Sequence, residues 1–205
     1  SMGILSSAVS ITRYRVEGKI EGPVIDIVSK GLKKNAIPEI DEEAESKAAG
    51  WTSFENPFHP NFDGSSFVFG NLFVFALRID RKSIPAKLLK KHLTLETSKR
   101  LAKTGRRFLS KDEKQALKDK VINDLAIRIP STPTVYDLIW NYEASSLWFY
   151  SNLRSANEEI ETLFRRSFNM GLLRLFPYTA ADTRAGLTDS ERDVLIGLSP
   201  THFSD

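Results

Sequence analysis

The sequence predicts an α+β protein: a mostly antiparallel sheet with helices on one face and a projecting basic helical hairpin. Three observations carry this reading. Short runs rich in β-branched and aromatic residues are bounded by turn signals, as strands are. Two stretches with helical period carry start signals. One strongly basic stretch divides into two helices with a short link.

The elements follow in order. Ala8–Val16, rich in Val, Ile, Thr and Tyr, reads as a strand broken by Gly18 and Gly22-Pro23. Pro23 opens a helix that places Val24, Ile27, Val28 and Leu32 on one face. Residues Ile37–Glu45 are acidic and read as a loop or short strand. Gly50–Ser66 contains Asn56-Pro57, His59-Pro60 and Asp63-Gly64 and reads as a long loop ending in a hairpin turn. Phe67–Asp80 is the most apolar run, with Gly70-Asn71 as a turn inside it, which gives two central strands.

Pro85 opens a helix running to about Lys103, and Thr104-Gly105 stops it. Ser110 and Glu113 form a capping box for a second helix ending near Pro130. Thr134–Tyr142 and Ser146–Ser151 form another hairpin. Ser155 and Glu158 cap a helix whose Ile160, Leu163, Phe164 and Phe168 pack on strands that include Phe73, Phe75, Trp148 and Tyr150. Leu172–Phe176 is a short strand closed by Pro177, and Thr188 with Glu191 caps a last helix to Leu198. Residues 1–80 and 131–205 therefore form one α+β body, and residues 81–130 an inserted basic hairpin.

Charge is the most informative feature. The chain has 29 Lys/Arg against 26 Asp/Glu, a net charge of only +3. Yet Arg81–Arg128 holds fifteen basic and five acidic residues, a net of +10, which leaves −7 for the rest. Such asymmetry marks a polyanion-binding element. Along the first basic helix Leu88, His92 and Leu95 share a face that Lys99 and Lys103 continue. Along the second, Lys111, Lys114 and Lys118 share a face that Val121 and Leu125 continue. Both stripes are apolar near the base and basic towards the turn. Unpaired lysines are costly to bury, so the turn end projects into water. Lys99, Arg100, Lys103, Arg106, Arg107, Lys111, Lys114 and Lys118 cluster there as the candidate polyanion-binding set, with Arg106 and Arg107 exposed and unpaired.

Catalytic chemistry has no comparable signal. Cysteine is absent, which excludes disulfides, thiolate metal sites and a cysteine nucleophile. His59, His92 and His202 are far apart and share no metal-ligand spacing, and His92 reads as a packed, hydrogen-bonded side chain. Glu39, Asp41, Glu42, Glu43 and Glu45 offer the carboxylates a Mg²⁺-dependent nuclease needs, but also read as a solvated acidic loop. Trp140, Tyr142, Trp148, Phe149 and Tyr150 lie on strands and serve the core before they serve base stacking. No apolar run is long enough to span a bilayer. Met2-Gly3-Ile4-Leu5-Ser6-Ser7 has the form of an acylation signal, but no basic cluster follows it, and one acyl chain anchors only marginally.

The order of several segments resembles a known family. Lys47-Ala48-Ala49-Gly50-Trp51 precedes an apolar strand pair ending in Leu77-Arg78-Ile79 and then Ser83-Ile84-Pro85. A Lys-rich helix, Leu109-Ser110-Lys111-Asp112-Glu113-Lys114, Leu117-Lys118-Asp119-Lys120-Val121-Ile122 and the helix Ala156–Phe168 follow. From about Val9 to Pro177 this order resembles the N-terminal part of the RdgC recombination-associated proteins. The resemblance implies a non-catalytic protein of the bacterial cytoplasm and nucleoid that binds duplex DNA with little sequence preference. It also implies a ring-shaped dimer that limits access of the recombinase. Family members are longer, and their aromatic after the second hairpin helix is replaced here by Arg128-Ile129-Pro130-Ser131.

The expectation is a sequence-independent DNA-binding protein with no enzyme activity, no cofactor, no membrane and no small-molecule substrate. Its partners are the DNA phosphate backbone and a second copy of itself. Two rivals stand beside it: an interaction or dimerisation module using the basic hairpin, and a metal-dependent exonuclease using the Ile37–Glu45 acids.

Overall fold

Residues 10–178 are described by the computed structural model, and eleven elements follow one another along them. They are β1 (Ile11–Glu17), α1 (Val24–Lys34), β2 (Lys47–Thr52), β3 (Val68–Phe69), β4 (Leu72–Arg81) and α2 (Ala86–Thr104). Then come α3 (Lys111–Arg128), β5 (Thr132–Asn141), β6 (Ser146–Phe149), α4 (Arg154–Phe168) and β7 (Gly171–Tyr178). The acylation-like segment, Ala8 and Val9, the capping box at Thr188 and His202 lie outside the described residues.

The seven strands form one antiparallel sheet in the order β2-β4-β5-β6-β1-β7, with β3 paired to β4. The architecture is α+β. Two compact units divide the described residues: residues 10–37, 49–79 and 134–178 form the first, and Pro38–Ala48 with Asp80–Pro133 form the second.

In the first unit the period-2 alternation of the strands sorts the apolar side chains into two layers. Tyr14, Val16, Phe73, Phe75, Leu77, Leu138, Trp140, Leu147 and Phe149 face the helices. There they meet Val28 and Leu32 of α1 and Ile160, Leu163, Phe164 and Phe168 of α4. Trp140 sits edge-on to Phe164, with ring centroids 4.9 Å apart. The intervening residues Leu72, Val74, Ile139, Trp148 and Tyr150 form a smaller cluster with Ile11 and Phe54 on the other side. α4 thus packs on the strands that include Phe73, Phe75 and Trp148, as expected, but Trp148 and Tyr150 themselves belong to the other cluster. Their neighbours Leu147 and Phe149 take the α4 face, because adjacent strand residues point to opposite sides.

A polar network ties α4 to the sheet. The buried Tyr14 hydroxyl donates to Asn157 Oδ1 and lies 3.1 Å from Glu161 Oε1, which Arg174 Nη2 holds at 2.7 Å. Burial, reinforced by Glu161, pushes the Tyr14 phenol above its ordinary range. Asn157 also donates to the Ser151 and Leu153 carbonyls. That anchorage starts α4 at Arg154, with Leu153 as the N-cap and no side-chain cap, so the capping box at Ser155 does not form.

Two further expectations are corrected. Gly50, Trp51 and Thr52 belong to strand β2 (Lys47–Thr52) and do not begin the loop. Trp51 N–H donates to the Asn35 carbonyl and Ile37 N–H to the Trp51 carbonyl, so the chain after α1 runs parallel beside β2. Gly50 makes this approach fit: a Cβ there would lie 2.5 Å from the Ile37 backbone. Pro177 lies inside β7 rather than ending it, opposite Thr12. β7 ends the strand order, and an edge strand tolerates a residue without an N–H.

In the second unit α2 and α3 pack as a hairpin. Leu117, Val121 and Leu125, one turn apart, are buried along α3. α2 has no buried residue, because a helix with a single helical neighbour covers only a narrow stripe. That stripe is not the expected Leu88–His92–Leu95 row. Leu89 and Leu93 join Leu88 and His92 as half-buried residues, and Leu95 is 49% exposed. His92 makes no side-chain hydrogen bond among the described residues. It borders a groove of about 280 Å³ with Leu95 and Lys99 on one helix and Leu117, Val121 and Asp124 on the other.

The acidic segment Pro38–Ala48 belongs to this unit. Lys82 is buried, and its ammonium donates to the carbonyls of Asp41, Glu43 and Ala126 at 3.1, 2.6 and 2.7 Å. The Asp41 carboxylate accepts from both the N–H and the hydroxyl of Ser131, each at 2.8 Å. Those two bonds hold the Asp41 carboxyl below its ordinary range. The acids are thereby fastened at the base of the hairpin, beside the C-terminal end of α3.

Candidate functional site

The turn end of the hairpin is shaped by local capping chemistry. Gly105 adopts the left-handed conformation, φ +69°, and its N–H closes α2 on the Leu101 carbonyl at 2.9 Å. Five residues later Ser110 starts α3 with a complete capping box: its hydroxyl accepts from Glu113 N–H, and Glu113 Oε1 accepts from Ser110 N–H. Leu109 is buried, which pins the link between these caps.

All eight predicted basic residues are exposed. Lys99 and Lys103 lie one turn apart on α2, with Arg100 beside them. Lys111, Lys114 and Lys118 form a row on α3. Two of the eight are paired, and for Arg106 this is contrary to expectation. Arg106 Nη1 lies 2.8 Å from Glu113 Oε2, and Lys99 Nζ lies 3.4 Å from Glu96 Oε1. The second pair is open to solvent and weak. The first spans the turn and, with the Ser110 bonds, lowers the Glu113 carboxyl to about 2. Arg100, Lys103, Arg107, Lys111, Lys114 and Lys118 make no ion pair among the described residues.

The acids near the turn are engaged. Glu113 serves the cap and Arg106, and Asp119 Oδ1 accepts from Gln115 Nε2 at 2.9 Å. Asp112 lies in the first turn of α3, where the helix dipole favours a negative charge. The strand aromatics are not a stacking surface: Trp140, Trp148, Phe149 and Tyr150 are buried, and Tyr142 is half-buried against the core.

One residue escaped sequence reasoning. Phe108, in the link between the caps, is 76% exposed. Its only sequence signal is a lone aromatic between Arg107 and Leu109 in an otherwise polar turn.

The carboxylates of the acidic segment do not converge. No group of three His, Cys, Asp or Glu residues able to hold a metal ion occurs among the described residues. Asp41 faces Ser131, and Glu39 Oε1 accepts from the Asp41 N–H. No helix among the described residues is long and apolar enough to cross a membrane.

Fold and site together define an α+β protein with a helical hairpin whose turn end concentrates unpaired cations. A sequence model of the family described as "Putative exonuclease, RdgC" matches residues 10–189. The chain belongs to the RdgC family. None of the curated proteins matches it.

Proposed function

We propose that this protein binds DNA through the phosphate backbone, without sequence preference and without catalysis, using the turn end of the α2–α3 hairpin. The observation that supports this reading most is the set of six exposed cations without ion pairs, five on two helices and Arg107 in the capped turn that joins them. Cations already engaged by carboxylates gain little from phosphate, whereas free ones replace condensed counterions and gain their release. Phosphate contacts carry no base information, so such a surface binds all sequences alike. Fastening the acidic segment at the base keeps negative charge away from the turn end.

In this reading the protein acts on the nucleoid as an obstacle: bound along DNA, it limits recombinase access. A second copy presenting the same hairpin would enclose the duplex. Lys99, Arg100, Lys103, Arg106, Arg107, Lys111, Lys114 and Lys118 line the contact, with Arg106 also bracing the turn.

The test is a salt titration of DNA affinity. With three to five phosphates held per copy, log affinity against log salt falls with a slope of roughly −3 to −5. Reversing Lys103, Arg107 and Lys111 to Glu weakens binding to every sequence and makes the slope shallower. Reversing Lys19, Lys30 and Lys34, which are also exposed but lie in the first unit, has a smaller effect. Binding lost only with the second set rejects the reading in favour of a docking or dimerisation role for the hairpin. Mg²⁺-dependent nucleotide release that disappears with Asp41→Ala rejects it in favour of an exonuclease.

A further inference from the structure

The hairpin's largest exposed apolar side chain stands at the centre of its basic turn. Phe108 follows Arg106 and Arg107 and precedes Lys111. It is the most exposed of the large hydrophobic residues described, ahead of Phe58 at 58%. A Phe in a loose turn would fold back onto the nearest apolar surface, here the stripe of α3. The turn does not allow it. Gly105 closes α2, the Arg106–Glu113 pair bridges the link, the capping box fixes Ser110, and Leu109 takes the inward place. Leu109 is buried while the adjacent Phe108 is 76% exposed, so the two side chains take different sides of the link. The ring is thus presented to solvent by the same contacts that build the turn.

We propose that Phe108 stacks on a nucleobase of the DNA held by the surrounding cations, so that the turn favours DNA with unstacked bases over continuous duplex. This rests on the DNA-binding reading above and deepens it. In a continuous duplex both faces of each base are covered by neighbours. Single strands, frayed ends and gaps offer free base faces, and an aromatic ring gains from them without regard to sequence. Cations on either side bring the backbone close enough for the ring to reach. An acidic protein surface or an anionic bilayer would meet the same charge, but a ring ringed by cations, on a turn too narrow to form a broad apolar patch, matches the alternation of phosphate and base.

The experiment compares wild type, Phe108→Ala, Phe108→Trp and the triple reversal of Lys103, Arg107 and Lys111, on single-stranded, duplex and tailed-duplex oligonucleotides at two salt concentrations. Phe108→Ala is expected to weaken single-strand and tailed-duplex binding by roughly 5- to 150-fold. Its salt slope should equal that of wild type, because no charge is lost, and its duplex affinity should change little. Phe108→Trp should retain single-strand binding, and its exposed indole, added to three buried tryptophans, should be quenched by the single strand. Phe108→Ala matching wild type on single strands, while the triple reversal loses binding, overturns the stacking role and leaves the DNA-binding reading intact. Equal loss on all three DNAs overturns the preference for unstacked bases. A triple reversal that binds like wild type overturns the DNA-binding reading itself.

Discussion

Arg106 Nη1 donates to Glu113 Oε2 at 2.8 Å, across the turn that joins the two basic helices, while the other oxygen of that carboxylate accepts from Ser110 N–H. One carboxylate thus closes the first turn of α3 and holds the link in front of it. Two adjacent arginines acquire different roles. Arg106 belongs to the architecture of the turn, and Arg107 is a free cation beside it.

Arg106→Glu places two carboxylates together at the turn and strips the cap of its partner. It is expected to lower the unfolding midpoint as well as DNA affinity. Arg107→Glu is expected to lower DNA affinity with the midpoint unchanged, as for an ordinary exposed substitution. Thermal unfolding and a binding titration on both variants separate the two roles. Equal midpoints would show that the ion pair does not brace the turn.

The same pair makes the turn sensitive to acid. Glu113 is held at about 2, below the ordinary 4.5, so the folded chain binds its proton less readily than the unfolded chain does. Its contribution to stability is therefore full above about pH 4.5 and is lost as the pH falls towards 2. Denaturant unfolding between those values should weaken less steeply with acid in Glu113→Gln than in wild type. Identical acid limbs would contradict the geometry of the cap.

Lys82 anchors the base of the hairpin. Lys82→Met keeps the length of the side chain but removes three hydrogen bonds, and the Ala126 carbonyl keeps only the longer bond from Ile129 N–H at 3.3 Å. The expected cost is about 1–3 kcal/mol. Amide exchange should rise around Ala126 and in residues 41–43 while the Trp140–Phe164 core stays protected. Unchanged exchange at Ala126 would argue against the anchor.

Phe164 is wholly buried between Trp140 and Phe168, with both ring centroids 4.9 Å away. Phe164→Ala should cost about 3–5 kcal/mol, the usual result of emptying an aromatic core site. Urea unfolding measures it, and an unmoved midpoint would refute the core assignment.

Gly50→Ala would bring a Cβ within 2.5 Å of the Ile37 backbone, where no flexible side chain can yield. A loss of about 1–3 kcal/mol is expected, as for other overpacked sites. Gly64→Ala, with nothing within 4 Å of its Cβ, is the control that carries only the strain of a positive φ.

The amino-acid sequence by itself determined the hairpin's boundaries: Pro85 before α2, Gly105 after it, Ser110 with Glu113 before α3. It also determined the β3–β4 turn and the core face of α4. Each of these rests on contacts within about one helical turn or two strand residues, so neighbours in sequence suffice to encode it. Tertiary structure alone decided the rest. Only the approach of Ile37 makes Gly50 a strand residue. Only the sheet's layering sends Trp148 away from α4 and Phe149 towards it. Asn157, reaching Tyr14 across the core, moved the start of α4 off Ser155. In the turn, the burial of Leu109 and the reach of Arg106 to Glu113 separated a bracing arginine from a free one and turned Phe108 to solvent. These outcomes depend on which surfaces meet in space, and composition and periodicity carry no record of that.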